Sequence, residues 1–176
     1  MTPAILLDEL QKFIEEETKD ILLEVKVRTG PATEKERAAK VFKMGLPEKD
    51  DTTQQIPYIL LKLVTGKDDK DERQPKYGEA KVRIVIVTYS PDGQRGPLEL
   101  LNLIQRIRER LQKQHIIAGR FCLQYPFEYL IYQDTEPPYY LGEIMTVWSI
   151  PVIERELKGL LYADNEAGMI WNENQN

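Results

Sequence analysis

Residues 96–115, GPLELLNLIQRIRERLQKQH, constrain this chain more than any other stretch, because an apolar strand-like run stands on either side of them. Proline has a fixed backbone angle suited to a first helical turn, so Gly96-Pro97 marks a start. Leu98, Leu101, Ile104, Ile107 and Leu111 recur at spacings of three or four, which predicts one apolar stripe along a helix. Glu99 sits early and Arg106, Arg108, Arg110 and Lys113 sit late, an order that complements the helix dipole. Upstream runs KVRIVIVTY (81–89); downstream run FCLQYPFEYLIY (121–132) and EIMTVWSIP (143–151). A helix laid on a small sheet is the economical way to bury all of this.

The remaining segments extend that frame. Thr2-Pro3 opens a predicted helix to about residue 18, with Thr2 as its cap and Leu6, Leu7, Leu10, Phe13 and Ile14 as its buried face. Glu15, Glu16 and Glu17 match the dipole poorly at its end; a basic surface elsewhere meets them, or they form a solvated charge run, the simpler reading. Residues 21–27, ILLEVKV, become an alternating strand, broken at Thr29-Gly30-Pro31. Residues 32–40 read as a loop or short helix, and 41–46 as a short strand closed by Pro47. The run PYILLKLVT (57–65) predicts a strand buried on both faces.

Residues 66–78 hold eight charged side chains and read as a mobile loop. Residues 79–89 alternate, with Val82, Ile84, Ile86 and Thr88 on one face and Arg83, Val85, Val87 and Tyr89 on the other, which predicts a hairpin with 57–65. Ser90-Pro91-Asp92-Gly93 is a turn. Pro126 interrupts the aromatic run, predicting a bulge or break at a sheet edge. QDTEPP (133–138) is a turn, and Ile144, Thr146, Trp148 and Ile150 share one face of the last strand. The expected fold class is α+β: a single domain over residues 1–153, a twisted, mostly antiparallel β-sheet with an N-terminal helix and a central helix packed on it. Residues 154–176 are expected to form a C-terminal tail, as a short helix or a loose segment.

Composition narrows the chemistry. The chain has 176 residues, 41% hydrophobic and 30% charged, and its net charge of −5 argues against broad attraction to nucleic acid or anionic membrane. No stretch has the apolar length of a membrane span, and the start lacks the pattern of a secretory signal, so cytoplasmic synthesis is the expectation. Cys122 is the single cysteine, which excludes an internal disulfide; its apolar surroundings predict a buried, inert thiol. His115, the single histidine, falls where it compensates the helix dipole. A His115–Cys122 pair is close in sequence but has no third, orienting group. Asp68-Asp69 and Asp71-Glu72 are interleaved with lysines and read as solvated. Phosphate-loop, dinucleotide, nucleophile-elbow and metal-ligand motifs do not occur, so no catalytic residue, cofactor or metal ligand is assigned. Tyr125, Phe127, Tyr129, Tyr132, Tyr139, Tyr140 and Trp148 are expected mostly in core and cross-strand packing. The tyrosines of QDTEPPYY suit a protein interface.

The order of these segments resembles the tail-terminator (tail-completion) proteins of tailed bacteriophages and prophages. The resemblance spans residues 2–153, and its most particular parts are the SPDG turn entering the helix and the closing E-I-x-T-x-W-x-I-P strand. It implies an α/β domain with helices on a twisted sheet. It also implies a homo-oligomeric ring, commonly a hexamer, in the virion neck, assembled in the host cytoplasm. Such a ring caps the tail tube, stops its polymerisation and offers a surface to head-completion (connector) proteins. DNA passes through the lumen without being gripped, no membrane is involved, and no active site comes with the family. On this reading the candidate interface residues are Lys67, Asp68, Asp69, Asp71, Glu72 and Arg73, at the lumen or the tube contact, together with Tyr139 and Tyr140. The rival expectations are a neighbouring neck or minor tail protein (head–tail joining or head closure) and a small hydrolase using His115 or the acidic loop.

Overall fold

Strict alternation in two long strands sets the frame. The computed structural model describes residues 2–26, 35–48, 55–68, 77–133 and 137–151. Its elements are α1 (Pro3–Thr18), β1 (Leu23–Glu24), β2 (Glu36–Arg37), β3 (Lys40–Lys43), β4 (Tyr58–Asp68), β5 (Tyr77–Tyr89), α2 (Arg95–Gln114), β6 (Ile116–Ile117), β7 (Phe121–Ile131) and β8 (Tyr139–Pro151). Six strands form one sheet in the order β3-β4-β5-β8-β7-β6, and β1 and β2 form a separate two-stranded ladder. Only β3 and β4 run parallel; every other neighbour in the large sheet is antiparallel. The fold is a single α+β domain, two helices on a mostly antiparallel sheet.

β5 and β8 pair from Tyr77↔Pro151 to Tyr89↔Tyr139 and form the sheet's spine. Val82, Ile84 and Ile86 on β5, and Ile144 and Trp148 on β8, are buried on the face that the helices cover. α1 lies over β3 and β4, and α2 over β5 and β8. The T-x-W part of the last strand has a physical basis. The fully buried indole of Trp148 donates to Thr146 Oγ1 (2.9 Å), and that hydroxyl donates to the Val82 carbonyl (2.9 Å). A buried N–H thereby finds a partner without leaving the apolar face.

Several boundaries and faces differ from the expectations. The apolar stripe of α2 is Leu100, Leu103, Ile104, Ile107 and Leu111, with Gly96 buried at its start, whereas Leu98 is 60% exposed. At about 100° per residue, successive steps of three drift round the helix, so Leu98 ends opposite Ile107. Helix α2 begins at Arg95, and the upstream Asp92 carboxylate accepts from the Gln94 and Arg95 N–H groups at 2.8 and 3.2 Å. Those bonds hold the Asp92 carboxyl below its usual range. Thr2 makes no side-chain cap on α1; its carbonyl receives the Ile5 N–H instead.

The strand expected over 21–27 is limited to Leu23–Glu24, with residue 27 outside the described residues, and Glu36–Arg37 is its partner strand rather than helix. Burial on both faces of β4 holds only over Ile59–Leu61; beyond Leu63 the strand is exposed. Both ends of the loop expected over 66–78 are strand instead, because β4 runs on to Asp68 and β5 begins at Tyr77; residues 69–76 lie outside the described residues. The register of β7 against β8 shifts between Gln124 and Glu128, bracketing Pro126 as the bulge expectation requires. The acidic end of α1 divides: Glu17 meets base, with Arg110 Nε at 3.0 Å, whereas Glu15 and Glu16 are exposed as a solvated run requires; beyond the helix, Arg106 lies 3.1 Å from Asp20. The C-terminal tail expectation falls outside the described residues.

Candidate interaction surface

Because both helices lie on one face, the opposite face of the sheet carries no helix among the described residues. Alternation sends Tyr58, Leu60 and Lys62 of β4 to it, with Arg83, Val85, Val87 and Tyr89 of β5 and Leu141, Glu143 and Met145 of β8. At its centre the Arg83 guanidinium donates to Glu143 and to the Tyr132 hydroxyl (3.3 Å). Glu143, diagonally across the β5–β8 pair, accepts from Arg83 and pushes its already high pKa further up. A shallow open groove beside this pair is lined by Glu128, Tyr129, Leu130, Glu143 and Met145.

The candidate residues do not converge. Lys67 and Asp68 occupy the exposed end of β4, where Lys67 pairs with Glu79. Tyr139 lies at the far end, opposite Tyr89. The two sites are separated by about 34 Å of β5, at about 3.4 Å per residue. Asp69, Asp71, Glu72 and Arg73 lie outside the described residues. Tyr139 is partly exposed, meets Tyr89 edge-on at 5.6 Å, and its hydroxyl accepts from Lys26 Nζ at 3.2 Å. Tyr140 is a core residue at 5% exposure: it faces the helices, and its hydroxyl donates to the Asp92 carbonyl. Successive residues on a strand point to opposite faces, so of the adjacent pair only Tyr139 is available for contact.

The aromatic residues expected in the interior divide similarly. Trp148 and Tyr140 are buried, while Tyr125 and Tyr129 on β7 are 65% and 46% exposed, with Leu130 at 51% beside them. Sequence reasoning missed these three as contact candidates. Their signal was the Pro126 interruption, which marks a strand that lacks a full-length outer neighbour.

Cys122 also departs from expectation. It is half-buried rather than buried, and its Sγ lies 3.4 Å from His115 Nε2. A tight turn through Ala118 and Gly119, both in the left-handed region, folds β6 back on β7 and brings the pair together. His115 itself sits at the end of α2 with a positive φ, its N–H donating to Leu111. Among the described residues no cluster of three or more His, Cys, Asp and Glu could hold a metal, and no helix is long and apolar enough to cross a membrane.

No family model matches this sequence, and no curated protein matches it. One similar solved structure, whose name states no function, aligns over 88% of this chain and 99% of its own, with 11% identity and a TM-score of 0.49. A likeness that distant does not bear on function.

Proposed function

We propose that this chain is a structural protein of a tailed phage or prophage: a tail terminator that caps the tail tube as a homo-oligomeric ring, commonly a hexamer, and presents a surface to head-completion proteins. The observation that carries the reading is the exposure of Tyr125, Tyr129 and Leu130 along a strand near the sheet's edge. Large apolar and tyrosine side chains exposed on both faces of a strand whose outer side β6 covers only at Phe121 and Cys122 suit protein contact. The order of sequence elements, from the SPDG turn to the T-x-W strand, supports the same reading. The net charge of −5 suits a lumen through which DNA slides, because like charge weakens affinity for phosphate.

The test is native mass spectrometry of the purified chain with tail-tube protein. Rings of a fixed copy number, stacked on tube ends, are the expected result. Failure of the chain to associate with itself or with the tube at high concentration removes the proposal.

A second reading, a small hydrolase, has one observation in its favour: the His115–Cys122 approach of 3.4 Å. Hydrolysis of an activated ester that is lost in both Cys122→Ser and His115→Ala, with assembly unchanged, would establish it.

A further inference from the structure

The large sheet has open backbone along β3, along β4 beyond Leu61 and along β7, and the first two stretches are guarded. In β3, Lys40 and Met44 donate to β4, so Val41 between them turns its polar groups outward. Gln11 of α1 donates to the Val41 carbonyl at 2.9 Å, and Lys43 beside it reaches Asp8 of the same helix. The open part of β4 starts at the exposed Lys62, and its register shifts between Leu63 and Thr65. Lysines, bulges and covering helices are the devices that keep a strand edge from pairing.

β7 has no such guard beyond Pro126. β6 covers it only at Phe121 and Cys122, and its register shift ends at Glu128. From Glu128 to Ile131 it pairs residue by residue with Met145 to Gly142 of β8. The Tyr132 N–H donates to the Leu141 carbonyl across that ladder. Bonded and non-bonded pairs alternate in an antiparallel ladder, so Tyr129 and Ile131 turn their N–H and C=O groups away from β8, to the open side. The side chains there are apolar: Tyr129 and Leu130 are exposed, and Ile131 is partly buried against the core.

We propose that this edge pairs with itself: β7 of one copy lies antiparallel to β7 of a second copy, about a twofold axis at Leu130. The occupant is a second copy of this chain because the stretch is complementary to its own image in direction, in backbone and in side chains.

Direction comes from symmetry alone, since a twofold axis perpendicular to the sheet sets a strand antiparallel to itself. The backbone then selects the register. With Leu130 opposite Leu130, Tyr129 faces Ile131 of the second copy and Ile131 faces Tyr129. Both pairs bring open groups onto open groups, and each exchanges both of its N–H···O bonds. A register centred on Tyr129 would need Phe127, which lies inside the irregular stretch that ends at Glu128.

The side chains fit this register. Tyr129 and Ile131 lie on the face that the helices cover, and an aromatic residue opposite a β-branched one is a favourable cross-strand pair. On the other face Leu130 meets its own copy at the closer, non-bonded position. Glu128 stands opposite Tyr132 of the second copy rather than opposite another carboxylate, so no like charges meet. Ile131 is at the rim of the core, and one joint seals that rim in both copies.

A twofold joint closes at two copies. The pairing therefore belongs to the free chain and does not rest on the ring reading; a head-to-tail ring that uses Tyr129 and Leu130 forms only after the pair opens.

The experiment begins with light scattering of the free chain at high concentration, where a dimer is expected. Leu130→Cys in a Cys122→Ser background is then oxidised. Non-bonded partners have Cα atoms about 4.5 Å apart, within the disulfide range of about 4.4–6.8 Å, so a linked dimer forms readily. Lys62→Cys, on the far side of the sheet, stays single in the same background. Charge pairing supplies a second readout that needs no cysteine. Leu130→Lys and Leu130→Glu each weaken dimerisation on the order of tenfold or more, because like charges face across the axis, and mixing the two proteins restores dimers. Only a joint that sets residue 130 against its own copy behaves this way. A free chain that is monomeric overturns the proposal, as does a dimer that neither cross-links at residue 130 nor responds to the charge exchange. The ring reading is read separately, on tail-tube protein: rings from a chain that is monomeric when free sink the pairing alone, and free dimers that never form rings sink the ring reading alone.

Discussion

A methyl group added at Gly96 tests the packing of α2 on β8. Gly96 is buried at the second position of α2, directly over the ring of Tyr140. A Cβ built there falls 2.0 Å from Tyr140 Cε2, 2.5 Å from Cζ and 2.7 Å from Cδ2. Two effects of opposite sign compete in Gly96→Ala. Helix propensity favours alanine by at most about 1 kcal/mol, and by less in the first turn. Overpacking a filled site costs about 1–3 kcal/mol, and the upper part of that range applies where the obstacle is a rigid ring. The Tyr140 ring has little room to retreat, since it is 5% exposed and its hydroxyl is bonded to the Asp92 carbonyl. Sterics win, by about 1–2 kcal/mol net, which lowers Tm by about 2–8 °C for a chain of this size. Thermal melts followed by circular dichroism read the shift. In the double variant Gly96→Ala/Tyr140→Leu the smaller side chain frees the space, so the alanine becomes neutral or favourable in that background. A single variant as stable as the parent, or strict additivity in the double, would refute the reasoning.

Four further outcomes follow from the same packing. Thr146→Val leaves the Trp148 N–H and the Val82 carbonyl short of a partner and costs about 1–3 kcal/mol in urea unfolding, whereas Thr146→Ser keeps the relay and costs less. Burial pushes the Glu99 carboxyl above its usual range despite the opposing pull of Arg95, and its Oε2 is buried without a partner. A raised carboxyl means that the folded state holds its proton to higher pH than the unfolded chain. Stability from this group is therefore present below the ordinary carboxyl value and is lost as pH rises through the raised one. Glu99→Gln removes that limb and gains on the order of 1 kcal/mol at neutral pH, read by denaturation across pH. Asp92 works in the opposite sense: its lowered carboxyl stabilises the fold above the ordinary value, and the benefit disappears as pH falls through the lowered one, so Asp92→Ala melts lower at neutral pH and converges with the parent in strong acid. Leu98→Lys changes stability by less than about 0.5 kcal/mol, while Leu100→Ala costs about 2–5 kcal/mol; the reverse ranking would restore the stripe drawn from spacing alone.

The elements legible in the sequence are those whose two faces differ. β5 and β8 have one face on the core and one on solvent, so alternation alone sorted Val82, Ile84 and Ile86 from Arg83 and placed Thr146 and Trp148 together. The α2 stripe was misplaced because leucines occur on both sides of the helix: Leu98 and Leu100 are equally apolar, and only the position of β8 decides which is buried. Gly96 carried a genuine signal with a second cause. A glycine beside a proline marks a helix start, yet the structure requires it for the close approach of Tyr140. β4 outran its expected end because Gly66, Lys67 and Asp68 are polar, and the ladder to Ala80, Glu79 and Gly78 needs only their backbone.

The interaction surface was less legible for a deeper reason. Whether a residue lies on an open edge depends on where a neighbouring strand stops, and that neighbour is distant in sequence. Lys62 is uncovered because β3 pairs no further than Leu61, and Glu128 because β6 pairs no further than Cys122. Neither fact is local to Lys62 or Glu128. Charge density drew attention to residues 66–78 and aromatic density to Tyr139 and Tyr140, but both are properties of composition. A contact between copies must also satisfy strand direction, height and unpaired backbone groups. Beyond the row Lys62–Arg83–Met145–Glu128, the open part of β4 stands level with the Pro126 interruption of β7, and the open part of β7 stands level with the stretch of β4 that β3 covers, a relation set by where β3 and β6 stop and absent from any local measure of charge or aromatic density.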